Sequence, residues 1–160
     1  MAPHTVDSDG PLPTASAFPI KTKQTSARIG DGVETSLVYT EFANRLFLTI
    51  TQYGKIGTLM EADLDTTATF QPSQSTPSVS VRTLLGPAQN PLYQVYASHI
   101  LQQIHAARNA EKRPLLLSIA LKRNVGGDGQ KDEEDGFALS EDDRKTFVEV
   151  MQLCRDVGVW

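Results

Sequence analysis

Hydrophobic and polar residues alternate along much of the first half of the chain, a period of two that is typical of β-strands with one buried face. The clearest stretch is Arg45–Tyr53, where one set of side chains is aliphatic and the alternate set is aromatic or hydroxylated. The sets are Leu46, Leu48 and Ile50 on one side and Phe47, Thr49 and Thr51 on the other. The pattern predicts a strand that turns its aliphatic side to a core.

Five further strands are predicted from the same alternation or from short apolar runs. They cover Phe18–Thr25, Val33–Phe42, Gly57–Ala62, Val79–Leu85 and Leu115–Leu121. The last run is almost continuously apolar, so we expect a central strand covered on both faces. Asparagine tolerates the conformation that tight turns require, so Ala43–Asn44 predicts a hairpin turn. Gly54 and Gly57 bracket the next loop, which suits a short hairpin-like reversal with positive φ.

Two amphipathic helices are predicted in the second half of the chain. The first begins at Pro91, which suits a first helical turn, and runs to about Asn109. The second is capped by Ser140, and acidic residues fill its first turn, where they meet the positive end of the helix dipole. The predicted buried stripes are Tyr93, Tyr96, Ala97, Ile100, Ile104 and Ala107 in the first helix, and Phe147, Val150, Met151, Cys154 and Val157 in the second.

The element order β-β-β-β-β-α-β-α predicts an α+β domain with a mainly antiparallel six-stranded sheet and two helices. Three segments have the composition of disordered chain, rich in small, polar and charged residues. They are the tail 1–17 and the loops 63–78 and 123–138. The sequence from residue 18 to residue 160 is predicted to form a single domain, since domains of about 100–150 residues are the commonest.

Charge and hydropathy argue against several classes of protein. The formal net charge is −4, which disfavours a nucleic-acid partner because such binding depends on a basic surface. No apolar run approaches the ~20 residues of a membrane span, and the N-terminal segment lacks the pattern of a secretory signal. The single cysteine, Cys154, is expected to be buried and inert. We therefore expect a cytoplasmic or nuclear protein with no membrane partner.

No catalytic, cofactor-binding or metal-binding residues are predicted. His99 and His105 are six residues apart on the first helix, whereas ligands on one helix need a spacing of three or four to reach one ion. The glycines at 126–129 lack the lysine and hydroxyl of a phosphate loop, and 128–135 lacks the ligand pattern of a calcium loop. Phosphorylation of Ser140 is a minor hypothesis beside its capping role, since acidic residues follow it.

Two features favour a protein-binding function. Two helices with one apolar stripe each can cover only one face of the sheet, so the other face meets water or another molecule. Its predicted mixture of hydroxyls, small residues and aromatics is ordinary in protein interfaces and also occurs on plain solvent faces. Lys55 either docks against an acidic partner or is an ordinary surface lysine. The predicted partner-binding residues are Phe47, Thr49, Thr51, Gln52, Tyr53 and Lys55.

Four pieces of the sequence resemble the proteasome assembly chaperone 3 family, in the order and at roughly the spacing of that family. They are LTITQYGKIGTL from Leu48, VRTLLG at Val81–Gly86 with NPLYQVYASHI after it, RPLLLSIALK at Arg113–Lys122, and the ending VMQLCRDVGVW. The resemblance does not extend to residues 1–17, to 63–78 or to 123–138.

The resemblance implies a non-catalytic chaperone for 20S proteasome assembly. Such a protein would form a heterodimer with a structurally similar fourth chaperone, sheet against sheet with the helices outside. The dimer would hold an α-type subunit, the fifth in the family's usual account, while the α-ring forms, and would leave before the particle matures. Whether the isolated chain forms a homodimer stays open. The alternative is a small α+β adaptor subunit of a trafficking or signalling complex, and a small-molecule enzyme is a third class.

Overall fold

The computed structural model describes residues 20–65, 77–87, 90–108, 111–122 and 140–160. Within these ranges six strands and two helices follow one another in the predicted order, which confirms the α+β class. The elements are β1 (Lys21–Ile29), β2 (Val33–Glu41), β3 (Leu46–Thr51), β4 (Thr58–Leu64), β5 (Val79–Leu85), α1 (Pro91–Ala107), β6 (Leu115–Ala120) and α2 (Glu141–Asp156). The predicted tail 1–17, most of the loop 63–78 and all of the loop 123–138 lie outside the described residues.

The described strands form one sheet with the spatial order β1-β2-β3-β6-β4-β5. Four neighbouring pairs are antiparallel, but β3 and β6 run parallel, so the sheet is mixed. The predicted hairpin at Ala43–Asn44 is confirmed, because β2 pairs with β3 and Phe42 N–H donates to the Arg45 carbonyl at 3.0 Å. The hairpin-like reversal predicted between β3 and β4 is wrong, because β6 lies between these two strands.

Gly57 makes this insertion of β6 possible. Gly54 has the predicted positive φ, +66°, whereas Gly57 is not among the glycines with positive φ. A Cβ atom on Gly57 would lie 2.1 Å from the Ile119 carbonyl oxygen and 2.6 Å from the Ala120 Cβ atom. The loop from β3 to β4 therefore crosses the end of β6 in backbone contact with it, and Gly57 is needed for that close approach.

The two helices cover one face of the sheet, which we call the helix face. Its aliphatic side chains on the central strands are completely buried. They include Leu37, Leu48, Ile50, Leu115, Leu117 and Ile119. The buried helix residues are Tyr93, Tyr96, Ala97, Ile100, Leu101 and Ile104 from α1, and Val150, Leu153 and Cys154 from α2. The helices also contact each other, since the ring centroids of Tyr96 and Phe147 are 4.8 Å apart.

The predicted helix stripes are confirmed at their centres and differ at their margins. Ala107 is exposed because it is the last residue of α1, and Phe147, Met151 and Val157 are only half-buried. Both predicted starts are confirmed. The Asn90 side chain accepts a hydrogen bond from Tyr93 N–H ahead of Pro91, and Ser140 forms a capping box with Asp143. None of the described helices is long and apolar enough to cross a membrane.

Three strand predictions need correction. β1 runs to Ile29, four residues beyond its predicted end, because it pairs with β2 along its whole length although its own sequence is polar. β4 continues to Leu64, two residues into the predicted loop. β6 is the predicted central strand, but among the described elements the helices cover only its helix face, so it is not covered on both faces.

An ion cluster ties the end of α1 and the start of β6 to the turn after β2. Arg113 donates to the Glu111 carboxylate at 2.5 Å, to the Phe42 carbonyl at 2.6 Å and to Glu41 at 3.3 Å. Arg108 donates to Glu41 at 3.2 Å. The hydrogen bond from Arg113 lowers the pKa of the Glu111 carboxyl below its ordinary value. The cluster joins segments that are far apart in sequence and so stabilises this corner of the fold.

Candidate protein interaction surfaces

The second face of the sheet, which we call the open face, is built from the alternate residues of the same strands. Strand pairing places these residues in rows across the sheet. One row contains Val38, Thr49, Ser118 and Leu59, and the next contains Thr40, Phe47, Leu116 and Glu61. Most of these side chains are half-buried, and Val38 is 36% exposed. The open face therefore has the mixed character predicted from the sequence, neither a dry core nor a charged solvent surface.

Ser118 lies near the centre of the open face. Its side chain is fully buried beside Thr49 and Leu59, and among the described residues its hydroxyl has no hydrogen-bond partner. A buried hydroxyl without a partner destabilises a protein by about 1–3 kcal/mol relative to a satisfied one.

Glu61 brings charge to the side of the open face that lies near β5. Its side chain is 9% exposed, and Arg82 donates to Oε2 through Nε at 2.7 Å and also through Nη2. Arg45 approaches the other oxygen at 3.8 Å. The Arg82 side chain is 70% exposed, so solvent weakens its attraction to Glu61, although the carboxylate itself is buried. The pair joins β4 to β5 and leaves guanidinium N–H groups facing outward.

The loop between β3 and β4, residues 52–57, which we call the tip loop, is held to the sheet by two side chains. The Thr51 hydroxyl donates to the Lys55 carbonyl at 3.0 Å and accepts from Tyr53 N–H at 3.1 Å. The Gln52 amide donates to Thr35 Oγ1 at 2.9 Å and accepts from Lys122 N–H at 2.7 Å. These contacts connect the loop to β2 and to Lys122, two residues beyond β6, so the loop is preorganised.

The tip loop presents an aromatic ring with two lysine ammonium groups close to it. Tyr53 is 53% exposed and Ile56 is 63% exposed. The Lys55 ammonium lies over the Tyr53 ring, 5.9 Å from its centroid, and the Lys122 ammonium lies 6.0 Å from the same centroid. At these distances and exposures cation–π attraction is worth only about 0.5 kcal/mol per pair, so both ammonium groups keep their capacity for other partners.

The structure brings the six predicted partner-binding residues into two adjoining places. Phe47, Thr49 and Thr51 lie on the open face, and the other three lie in the tip loop. Gln52 differs from its expected role, because its amide is engaged within the molecule and supports the loop. Sequence reasoning missed Lys122, which only the parallel pairing of β3 and β6 brings beside Tyr53. It also missed Glu61 with Arg82, for which the opposite charges on adjacent predicted strands were the available signal.

The two described histidines and the cysteine pack within the fold. His99 packs edge-on against Phe147 at 5.4 Å, and His105 contacts the Glu111 carbonyl. No group of three or more metal-ligating side chains occurs in the described part of the chain. Burial raises the pKa of the Cys154 thiol to about 12, in keeping with the predicted inert cysteine. Near the starts of the helices, Tyr93, Tyr96 and Lys122 border a cavity of about 30 Å³, far smaller than a metabolite pocket.

The described elements form a small α+β domain, a mixed sheet with helices on one side and an accessible face and loop on the other. A chain in the crystal structure of a chaperone complex for yeast 20S proteasome assembly has the same fold, with a TM-score of 0.55 and 18% sequence identity over 86% of this chain and 98% of that chain.

Sequence comparison identifies the family. The proteasome assembly chaperone 3 family matches residues 48–132. Proteasome assembly chaperone 3 of Homo sapiens is 32% identical over 91 residues, covering 57% of this chain and 70% of the human protein. The Mus musculus protein is 30% identical over 104 residues, covering 65% of this chain and 80% of its own length. The chain therefore belongs to the proteasome assembly chaperone 3 family, as the four sequence pieces predicted.

Proposed function

We propose that this protein is a non-catalytic chaperone of 20S proteasome assembly that pairs with a related chaperone through the open face and holds an α-type subunit through the tip loop. The observation that carries the proposal is the open face itself, a half-buried row of apolar and hydroxyl side chains on the central strands. Family membership supplies the class of client, and the resemblance makes the fifth α-type subunit the first to test.

The chemistry of the open face supports a sheet-bearing partner. Valine, threonine and leucine side chains in one row suit packing against a second pleated surface, since aligned sheets interdigitate such residues. This row carries no charged side chain, in keeping with the few charges that interface cores contain. A related chaperone with a similar face would bury both sheets, and a second copy of this chain is the alternative occupant in isolation.

The tip loop supports a separate and releasable contact with the client. The loop, with one aromatic ring, one exposed isoleucine and Lys55, offers a small contact area with the neighbouring Lys122 beside the larger open face. Small contacts are easily displaced, as a chaperone requires when later subunits arrive and compete for overlapping surface. The working site of such a protein is the cytoplasm, with the nucleus as a second location.

A matched pair of variants tests the role of the open face. Val38→Arg places a charge on the open face, and Val95→Arg makes the same change on the outer side of α1, where valine is similarly exposed (36% and 41%). Tagged full-length protein is recovered from cells, and its partners are identified by native mass spectrometry. We expect recovery of the related chaperone to fall at least about tenfold with Val38→Arg, because burying a charge in an interface is costly. Recovery with Val95→Arg should equal that with the wild-type protein.

Two results would overturn the proposal. One is equal recovery of the chaperone partner with both variants. The other is the absence of unassembled α-type subunits from everything that the wild-type protein retains. An adaptor of a trafficking or signalling complex would bring down components of that complex in their place.

A further inference from the structure

The tip loop and the neighbouring Lys122, which together we call the tip, present positive charge on the described surface although the chain as a whole is acidic. The formal net charge is −4, yet two lysine ammonium groups converge on the Tyr53 ring. Among the described residues, no carboxylate lies within ion-pair distance of Lys55 or Lys122. Asp142 and Asp143 border the same small cavity as Lys122, but they do not pair with it. Within the described part of the chain, no carboxylate therefore uses the positive charge of these two lysines.

The spacing of these cations is set by the sheet. Lys55 belongs to the tip loop after β3 and Lys122 follows β6, and these two strands pair in parallel, so their ends meet at one edge. Gln52 links the loop directly to the Lys122 backbone at 2.7 Å. Binding of a ligand costs less conformational entropy when the loop that carries the binding groups is already held in place.

The tip also carries apolar surface next to the charges. Ile56 is 63% exposed and adjoins Lys55 in sequence, and the Tyr53 ring lies under both ammonium groups. A ligand that uses the whole surface needs carboxylates for the lysines and an aliphatic or aromatic side chain for Ile56 and Tyr53. Phosphates would suit the lysines alone, without the isoleucine, and the acidic body of the protein would repel a nucleic acid.

We propose that Lys55 and Lys122, together with the Tyr53 ring, bind an acidic peptide segment that carries an apolar side chain beside its carboxylates. The inference rests on the proposed function, in that the segment would belong to the α-type subunit. It adds Lys122 to the site and gives the chemistry of the surface that the site recognises. Each exposed lysine–carboxylate pair contributes up to about fivefold in affinity, and salt weakens it.

Charge reversal at the two lysines tests the inference against a matched control. Lys55→Glu and Lys122→Glu are compared with Lys112→Glu, an exposed lysine that precedes β6 as Lys122 follows it. Binding of the full-length chain, together with its chaperone partner, to an immobilised α-type subunit is measured at low and at physiological salt. We expect each tip reversal to weaken binding about fivefold, the double variant at least about tenfold, and Lys112→Glu less than twofold.

Peptide probes identify the ligand class. A fluorescein-labelled peptide of alternating glutamate and leucine should bind the wild-type chain and lose affinity in the double variant, and its glutamine–leucine counterpart should bind much more weakly. Equal binding of the two peptides, stronger binding of a single-stranded oligothymidylate, or an unchanged double variant would overturn the inference. If the glutamate peptide binds through the lysines but the α-type subunit is not captured, the acidic ligand class is retained and the proposed client is wrong.

Discussion

Replacing Gly57 with alanine tests whether the insertion of β6 depends on this residue. The added Cβ atom would lie 2.1 Å from the Ile119 carbonyl oxygen, whereas unstrained non-bonded contacts are about 3.5 Å. The tip loop and the end of β6 would therefore have to separate by more than about 1 Å. Overpacking at well-packed sites destabilises a protein by about 1–3 kcal/mol. Because two hydrogen-bonded backbone segments cannot move apart easily, we expect the free energy of unfolding to fall by about 3 kcal/mol.

Thermal unfolding of the purified chain, followed by circular dichroism, measures this loss. For a protein of this size about 1 kcal/mol corresponds to roughly 2–4 °C, so Gly57→Ala should lower Tm by about 6–12 °C. Gly32→Ala is the control, because Gly32 has φ +78° but no atom of the described residues lies within 4 Å of an added Cβ. That variant should lose only the ~1–2 kcal/mol of a left-handed alanine. A Tm for Gly57→Ala no lower than that of Gly32→Ala would refute the steric reasoning.

Three further predictions concern single contacts. Cys154 should react slowly with a thiol reagent in the native protein at pH 8, because burial raises its pKa to about 12; labelling as fast as in urea would contradict this. Ser140→Ala should lower the free energy of unfolding by about 1 kcal/mol, because the cap to Asp143 N–H is lost, whereas Ser140→Asp should change it by only a few tenths of a kcal/mol. Equal urea midpoints for Ser140→Ala and the wild type would argue against the cap. The hydrogen bond from Arg113 lowers the pKa of the Glu111 carboxyl below its ordinary value, so the pair stabilises the fold at pH values above that ordinary pKa. This contribution is lost as the pH falls through the lower folded-state pKa. Arg113→Gln should therefore narrow the difference in unfolding free energy between pH 7 and pH 3, and an unchanged difference would exclude this linkage.

Local patterns in the sequence were sufficient for most elements and for the two faces of the sheet. Side-chain alternation is a property of the strand itself, so Leu48 and Ile50 were assigned to the core side and Thr49 to the other without knowledge of neighbouring strands. The helix starts at Pro91 and Ser140 were predicted for the same reason, since a first-turn proline and a capping side chain act within their own helix. The polar strand β1 was placed poorly, because its pairing partner rather than its own sequence decides its length.

Only the tertiary structure decided which strands are neighbours, and with them the candidate site. Insertion of β6 between β3 and β4 joins segments about 70 residues apart in sequence, as in the bond from Lys122 N–H to the Gln52 side chain. No local pattern encodes such a pairing, because its free energy comes from contacts that form when the whole sheet assembles. Gly57 was predicted as a turn residue, but the structure shows it where the tip loop crosses the end of β6. The same strand arrangement brings Lys122 close to Tyr53 and Lys55. The sequence by itself thus determined the strands, the helices and the faces of their side chains, whereas the tertiary structure determined which strands lie next to each other.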